Sequence, residues 1–238
     1  MIIIPARVES SRFPNKVLAD INGLPMVIKT AKVAQKVDSV VIATDSQDVI
    51  DIAQKYDINA ILTNSSCNSG TDRIYEAATK LGCSNEEIII NVQADEPFIE
   101  ESVIKELFNL TKKYANSSET IISTLYKVVS KEEAKDPNLV KVVTTNSEQA
   151  LYFSRSLVPY NRDNIDINYK AHLGLYGFTY QKLKIFCELS NSFLEDTEKL
   201  EQLRVLENGY KIAIKEVKSN SFGIDTKEDL EKALRVFV

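Results

Sequence analysis

Three short runs of β-branched residues in the first hundred positions constrain the fold more than any other feature. They lie at residues 2–5, 40–43 and 88–92 and are almost entirely apolar. Strands that are apolar on both faces are typical of parallel sheets covered by helices on both sides. The stretches 25–36, 46–55 and 71–81 between or beside them have the helical period. This alternation predicts an α/β fold, a three-layer α/β/α Rossmann-like architecture with a mostly parallel central sheet.

The second half of the chain is less regular than the first. Its apolar patterns predict strands at 119–128, 139–145, 150–153, 171–178 and 211–217, and helices at 180–189, 197–207 and 229–236. The polar stretch 161–168 is predicted to be a loop. No linker divides the chain, and 238 residues fit one large domain. We therefore predict a single domain spanning 1–238.

The composition excludes several classes of function. A net charge of −5 is unlike that of nucleic-acid-binding proteins, and no apolar run reaches the roughly 20 residues of a membrane helix. Three widely spaced cysteines without a CxxC pair predict neither a disulfide framework nor a zinc site, and one histidine excludes a histidine-rich metal site. We expect no nucleic-acid partner, no membrane segment and a cytoplasmic location.

A basic loop follows the first predicted strand. It contains Arg7, Arg12 and Lys16 within ten residues. Arginine makes planar contacts to phosphate oxygens and lysine supplies a point charge, so this loop suits a triphosphate. The GxxxxGK[ST] pattern of a Walker loop is absent. A solvated basic loop fits the spacing equally well.

Two aspartates follow other predicted strands. Asp95 comes just after the run ending at residue 92, and Asp225 follows the last predicted strand. Ligands bind beyond the carboxyl ends of parallel strands, where carboxylates can hold Mg²⁺ against phosphates. The alternatives are a simple turn around Asp95 and a helix cap at Asp225 or Thr226.

Two further groups of residues carry possible binding chemistry. Ser69, Gly70 and Thr71 begin a predicted helix, where backbone N–H groups can meet an anion or a base edge, although Ser69 or Thr71 can simply be a cap. Arginines, hydroxyls and amides are scattered over the second half, and such groups can bind an acidic sugar. Alternatively, His172 is a core residue, and Glu201, Gln202 and Arg204 form the wet face of a helix.

The order of these clusters along the chain resembles the 3-deoxy-D-manno-octulosonate (Kdo) cytidylyltransferases. The matching motifs are IPARVESSRFPNK, ATD, SGTDR, NVQADEP, DPNLVKVV, YFSRSLVPY, HLGLYGF, LEQLRVLENGY and GIDTKEDLE, from Ile2 to about Leu234. Two departures are visible. Ala94 stands where the family usually has glycine, and Cys67 stands where it often has histidine.

The resemblance implies transfer of CMP from CTP to the anomeric hydroxyl of Kdo, with release of pyrophosphate. Arg7, Arg12 and Lys16 would neutralise the CTP phosphates, and Asp95 and Asp225 would hold Mg²⁺; these five are the implied catalytic residues. The resemblance further implies a cytosine pocket formed with Ser69, Gly70 and Thr71. It implies a Kdo site lined by Gln93, Arg155, Arg162, His172, Tyr176, Glu201 and Gln202. A small excursion at about 128–178 would form a homodimer.

Three other functions stay open at this point. One is a cytidylyltransferase for sialic acid, although those enzymes usually have a glycine-rich stretch after IPAR, where this chain has Val8 to Arg12. The second is the same reaction on 8-amino-Kdo, which the sequence does not separate from Kdo. The third is a non-catalytic nucleotide-binding module, because a fold alone does not fix a function.

Overall fold

The computed structural model describes residues 1–8 and 13–237. The strands and helices of the first 114 residues are, in chain order, β1 (Ile2–Ala6), β2 (Asp20–Ile21), β3 (Leu24–Pro25), α1 (Met26–Ala34), β4 (Val40–Thr44), α2 (Gln47–Lys55), β5 (Asn59–Leu62), α3 (Gly70–Lys80), β6 (Ile88–Asn91) and α4 (Glu101–Tyr114). A short 3-10 helix at Lys16–Leu18 lies between β1 and β2.

The remaining elements complete the order. They are β7 (Thr120–Val129), α5 (Lys131–Ala134), β8 (Lys141–Thr144), β9 (Ala150–Ser154), β10 (Tyr169–Thr179), α6 (Tyr180–Glu188), α7 (Phe193–Glu198), α8 (Leu203–Glu207), β11 (Lys211–Glu216) and α9 (Lys227–Phe237). The chain forms two compact units, the first of residues 1–105 and 219–238, the second of residues 106–218. The first unit is therefore built from two distant parts of the chain.

The first unit contains a parallel sheet in the order β6-β1-β4-β5. Ile2 of β1 is in register with both Val40 and Ile90, so the three predicted apolar runs are neighbouring strands. Residues 2–4 of β1 are completely buried, as expected for a strand covered on both faces. The prediction of an α/β fold with a mostly parallel central sheet is confirmed.

The C-terminal part of the first unit packs through its own apolar cluster. Ile224 and Ala233 are completely buried together with Met26 of α1. The rings of Phe98 and Phe237 stack with centroids 4.6 Å apart. Burial of these side chains stabilises the packing of the C-terminal residues 219–237 within the first unit.

The second unit combines parallel and antiparallel pairs. Strand β7 pairs with β11 in parallel and with β10 antiparallel, and β8 pairs antiparallel with both β10 and β9. The predicted pairing of the strands near 139–145 and 150–153 is confirmed by the β8–β9 pair. The predicted excursion at about 128–178 falls within this unit.

Two features differ from the sequence-based predictions. The predicted helix 197–207 is wrong, because α7 ends at Glu198, its C-cap Lys199 has the left-handed conformation (φ 53°), and α8 starts only at Leu203. The 14-residue helix α4 was not predicted. None of the helices in the described part of the chain is both long and apolar enough to cross a membrane.

Candidate functional site

A cavity of about 340 Å³ lies in the first unit, beyond the carboxyl ends of β1 and β6. Its lining brings together residues from every cluster that the sequence places after a strand of this unit. They are Pro5, Arg7, Lys16, Val17, Cys67, Asn68, Ser69, Gly70, Arg73, Gln93, Ala94, Asp95 and Asp225. The location is the one expected for ligands in an open parallel sheet.

Three residues of the cavity lining form an ion-pair triad. Lys16 Nζ donates to Asp95 Oδ2 at 2.6 Å and to Asp225 Oδ1 at 2.9 Å. The lysine side chain is 13% exposed, against 26% and 42% for the two carboxylates. Burial alone would lower the pKa of Lys16, but Asp95 and Asp225 outweigh burial and the pKa is raised. The lysine is therefore firmly cationic, and two predicted metal ligands share one positive charge.

The position of Asp225 depends on contacts with the loop that carries Asp95. The Ile224 N–H donates to the carbonyl of Asp95 at 2.9 Å. The hydroxyl of Ser221 donates to the carboxylate of Glu96 at 2.5 Å, and both side chains are buried. These two hydrogen bonds therefore hold residues 221–225, which have no regular secondary structure, beside the end of β6. Sequence reasoning missed Glu96 and Ser221, which lie 125 positions apart.

Helix α9, which follows Asp225, is capped by Thr226. Thr226 Oγ1 accepts from the Asp229 N–H at 3.1 Å, and Asp229 Oδ2 accepts from the Thr226 N–H at 2.9 Å. This reciprocal arrangement is a capping box. The cap alternative is thus confirmed for Thr226, while the Asp225 carboxylate contacts Lys16.

The start of α3 forms one wall of the cavity. Ser69 is the N-cap and forms a capping box with Asp72, so the cap alternative is confirmed there. Ser69 and Gly70 line the cavity, and Thr71 is buried one residue further along. The positive end of the α3 dipole favours an anion or a base oxygen at this wall.

Arg73 of α3 connects that wall to the end of β4. Its guanidinium is 3% exposed and donates to Thr63 Oγ1 at 2.6 Å and to Asp45 Oδ2 at 2.7 Å. Arg73 also lines the cavity. The motifs ATD and SGTDR contain this pair, but no local pattern indicates that their side chains meet.

The basic loop is only partly described. Arg7 is exposed and lines the cavity, directly after β1. Lys16 is the first residue of the 3-10 helix, which follows residues 9–12 in the sequence. Arg12, the third predicted phosphate ligand, lies outside the described residues.

The thiol of Cys67 is expected to be unreactive although it lines the cavity. It donates to Glu76 Oε2 at 3.2 Å, and burial together with that carboxylate raises the pKa of Cys67 to about 11. At pH 8 only about one thiol in a thousand is ionised, so iodoacetamide should modify Cys67 about a hundredfold more slowly than a peptide thiol. Peptide mass mapping over time measures this rate.

The Glu76→Gln variant provides the matched comparison. Removing the carboxylate charge lowers the pKa of Cys67, and alkylation should become faster. Alkylation of Cys67 at the rate of a peptide thiol in the unaltered chain would contradict the raised pKa.

Four predicted sugar-binding residues meet in the second unit. The rings of His172 and Tyr176 lie 5.5 Å apart, and the Tyr176 hydroxyl donates to Gln202 Oε1 at 3.1 Å. Burial, and then the charge of Glu201, raise the pKa of Tyr176. Burial lowers the pKa of His172 to about 3. Both rings are therefore neutral at pH 7.

The two remaining arginines of the predicted sugar site are placed differently. Arg155 donates through Nε to the carbonyl of Glu198 at 2.8 Å, and through its terminal nitrogens to the carbonyls of Pro137 and Lys199. Of the five N–H donors of a guanidinium, these contacts leave two for a ligand. Arg162 is exposed in the loop before β10. Their contact with a sugar carboxylate stays a prediction.

Arg204 is not on a wet helix face. It is 7% exposed and forms a two-point ion pair with Glu195, which is 8% exposed. The Arg204 guanidinium also lies 5.0 Å from the centre of the Phe186 ring. Gln202 is 2% exposed, so the interpretation of this stretch as a solvated surface is wrong. The break between α7 and α8 turns both side chains into the protein interior.

Comparisons with known proteins agree over the whole chain. The cytidylyltransferase family model matches residues 1–212. Proteins named 3-deoxy-manno-octulosonate cytidylyltransferase from a Nitratiruptor species and from Wolinella succinogenes are 55% and 50% identical to this chain. The alignments cover 98% and 100% of this chain and 97% and 99% of the relatives.

A solved structure is also similar. It is CMP:2-keto-3-deoxy-manno-octonic acid synthetase complexed with CTP, with a TM-score of 0.89 and 36% identity. The match covers 99% of this chain and 96% of that chain. Both compact units therefore lie within the similarity.

Proposed function

We propose how this chain, which belongs to the 3-deoxy-manno-octulosonate cytidylyltransferase family, carries out its reaction. The enzyme transfers CMP from CTP to the anomeric hydroxyl of Kdo and releases pyrophosphate. The product, CMP-Kdo, is the activated sugar for lipopolysaccharide synthesis. The observation that carries the assignment of residues is the Lys16 bridge between Asp95 and Asp225 inside the cavity.

The charges around the cavity suit a triphosphate. Arg7, Lys16 and Arg73 contribute cationic groups to its lining, and the N-terminal end of α3 adds a positive dipole. Asp95 and Asp225 are the two acidic groups of the described lining. The two carboxylates share the single charge of Lys16, so an added divalent cation would favour the binding of negative phosphates beside them.

The two carboxylates fit Mg²⁺. They converge on one ammonium group in this structure, so their oxygens already surround a positive charge. Mg²⁺ is usually held by one or two carboxylates together with substrate phosphates and water. We therefore assign Asp95 and Asp225 as its ligands. When bound there, the ion supplies positive charge that stabilises the phosphate oxygens.

The residues of the chain contribute mainly positioning and charge. The anomeric hydroxyl of Kdo attacks the α-phosphorus of CTP and loses its proton to solvent. The bond between the α-phosphorus and the oxygen that bridges it to the β-phosphorus breaks, and pyrophosphate leaves. Lys16 and Arg7, with Arg12 beside them in sequence, offset the charge on the phosphates. Ser69, Gly70 and Thr71 hold the cytosine. No side chain needs to form a covalent intermediate.

We assign the sugar chiefly to residues of the second unit. His172, Tyr176, Gln202 and Glu201 supply neutral donors, acceptors and one carboxylate for the Kdo hydroxyls. Arg155 and Arg162 are the candidates for its carboxylate. Gln93, the remaining predicted Kdo ligand, lines the nucleotide cavity at the end of β6.

We further propose a homodimer formed through the excursion at 128–178. Four large apolar side chains in this range are exposed, namely Val128, Leu151, Tyr160 and Ile165. Burial of such side chains in an interface favours association. Light scattering should give twice the monomer mass. We place the enzyme in the cytoplasm, because its three cysteines are widely spaced and form no CxxC pair, a pattern that suits a reducing compartment.

Pyrophosphate release tests the reaction. Purified protein is incubated with Mg²⁺, CTP and Kdo, and each component is omitted in turn. Kdo is also replaced by 8-amino-Kdo and by sialic acid. Release that requires all three components and fails with sialic acid is expected. Release only with another acidic sugar would show that this sugar, and not Kdo, is the substrate. If the protein binds CTP but releases no pyrophosphate with any sugar, it is a nucleotide-binding module.

A further inference from the structure

Thr124 contacts the single histidine of the chain within the second unit. Thr124 is completely buried and His172 is 9% exposed. Thr124 Oγ1 lies 2.8 Å from His172 Nε2, 2.7 Å from the Leu175 carbonyl oxygen and 3.2 Å from the Leu173 carbonyl oxygen. The two carbonyls lie where the pairing of β10 with β7 shifts register, between Leu173 and Gly177. The irregular strand therefore presents two acceptors to one hydroxyl.

The hydrogen bonds around this hydroxyl fix the protonation of the imidazole. The two carbonyl oxygens only accept and the hydroxyl has a single hydrogen, so the arrangement that satisfies most of these contacts directs that hydrogen to a carbonyl, of which Leu175 is the nearer. The hydroxyl oxygen then accepts from His172 Nε2, which must carry a hydrogen. Because burial keeps the ring neutral, the lone pair is left on Nδ1.

The side-chain amide of Gln202, which contacts Tyr176, has an unused hydrogen-bond donor. Gln202 is 2% exposed, and its Oε1 accepts from Tyr176. Its Nε2 is buried and has no hydrogen-bond partner among the described residues. An unpaired buried amide hydrogen is costly, so an acceptor atom of a ligand at this position would relieve that cost.

We propose that Thr124 is a positioning residue that holds His172 as the Nε2–H tautomer, so that Nδ1 accepts a hydrogen bond from a sugar hydroxyl. The Gln202 amide donates to a second oxygen of the same sugar. The identity of this sugar as Kdo rests on the proposed function. A site with a fixed acceptor disfavours an analogue that lacks the donating hydroxyl, because Nδ1 would receive no hydrogen bond from it.

The tautomer is measured directly by nitrogen NMR of uniformly ¹⁵N-labelled protein. The only histidine in the chain gives one pair of imidazole signals, and protonated and unprotonated nitrogens have well-separated shifts. We expect protonated Nε2 and unprotonated Nδ1 at pH 7 in the free enzyme. Kdo should move the Nδ1 signal. A protonated Nδ1 in the free enzyme would overturn the positioning role.

Two substitutions at Thr124 connect the tautomer to sugar binding. Thr124→Val removes the hydroxyl at nearly constant shape and should abolish the pure Nε2–H signal and raise KM for Kdo about tenfold. Thr124→Ser keeps the hydroxyl and should keep both the tautomer and KM. KM for CTP should stay unchanged in both. Thr111→Val is the control, because the Thr111 hydroxyl donates to the Leu107 carbonyl of its own helix.

The outcomes separate this inference from the proposed function. An Nε2–H tautomer whose Nδ1 signal does not respond to Kdo would overturn the sugar contact, whatever the pyrophosphate assay shows. Thr124→Val with unaltered imidazole signals and Kdo KM would overturn the role of Thr124. If the valine variant does not fold, the unaltered chain and Thr124→Ser still decide the question.

Discussion

Asp95→Asn and Asp225→Asn are each expected to lower kcat by about 10²–10³-fold. Asparagine has nearly the shape of aspartate, so the cavity is kept while one of the two charges facing Lys16 is lost. The remaining carboxylate holds a cation beside the phosphates less firmly. Steady-state rates at several Mg²⁺ concentrations measure the loss, and the concentration giving half-maximal rate should rise in both variants.

The control for this prediction is Asp48→Asn. Asp48 is exposed on α2 and belongs to the same unit. The substitution makes the same chemical change without touching the cavity lining, so kcat should remain within about twofold of the unaltered enzyme. Near-normal turnover in both cavity variants would remove Asp95 and Asp225 from the catalytic assignment.

Glu195→Gln is expected to lower the free energy of unfolding by about 3–5 kcal/mol. The substitution leaves the Arg204 guanidinium buried beside an uncharged partner, although Arg204 Nε now lies 2.8 Å from a carboxylate oxygen. A buried charge without its counter-charge has lost its solvation and receives little in return. Urea unfolding followed by circular dichroism measures the change, provided that the dependence on urea is unaltered.

Two further variants identify the cause of that loss. The double variant Glu195→Leu with Arg204→Met removes both charges and should recover much of the stability. Glu119→Gln disrupts the exposed pair with Lys211 in the same unit and should have little effect. Equal losses in the free energy of unfolding from Glu119→Gln and Glu195→Gln would show that burial of the Glu195–Arg204 pair does not cause the effect.

The first unit was largely predictable because its signals are local. A run such as Ile2–Ala6 is apolar on both faces, and few folds other than a covered parallel sheet accommodate several such runs. Two residues of the cavity lining were predictable for the same reason, because Arg7 and Asp95 stand just past the ends of β1 and β6. Position along the chain and position in the site coincide in such sheets.

The contacts that complete the sites were not predictable in the same way. Glu96 and Ser221 carry no local pattern that indicates their hydrogen bond across 125 positions. Lys199 ends α7 with φ 53°, a conformation that glycine or asparagine would signal and lysine does not. Because the sequence does not indicate this break, it also does not indicate that Gln202 and Arg204 are buried.

The discontinuous first unit has a consequence for biosynthesis. A ribosome completes residues 106–218 before it makes the segment that carries Asp225. Chains fold as they emerge, so the inserted unit can fold while the surrounding one still lacks part of its structure. Chains released from the ribosome before residue 225 therefore lack both the Lys16–Asp225 contact and part of the cavity lining.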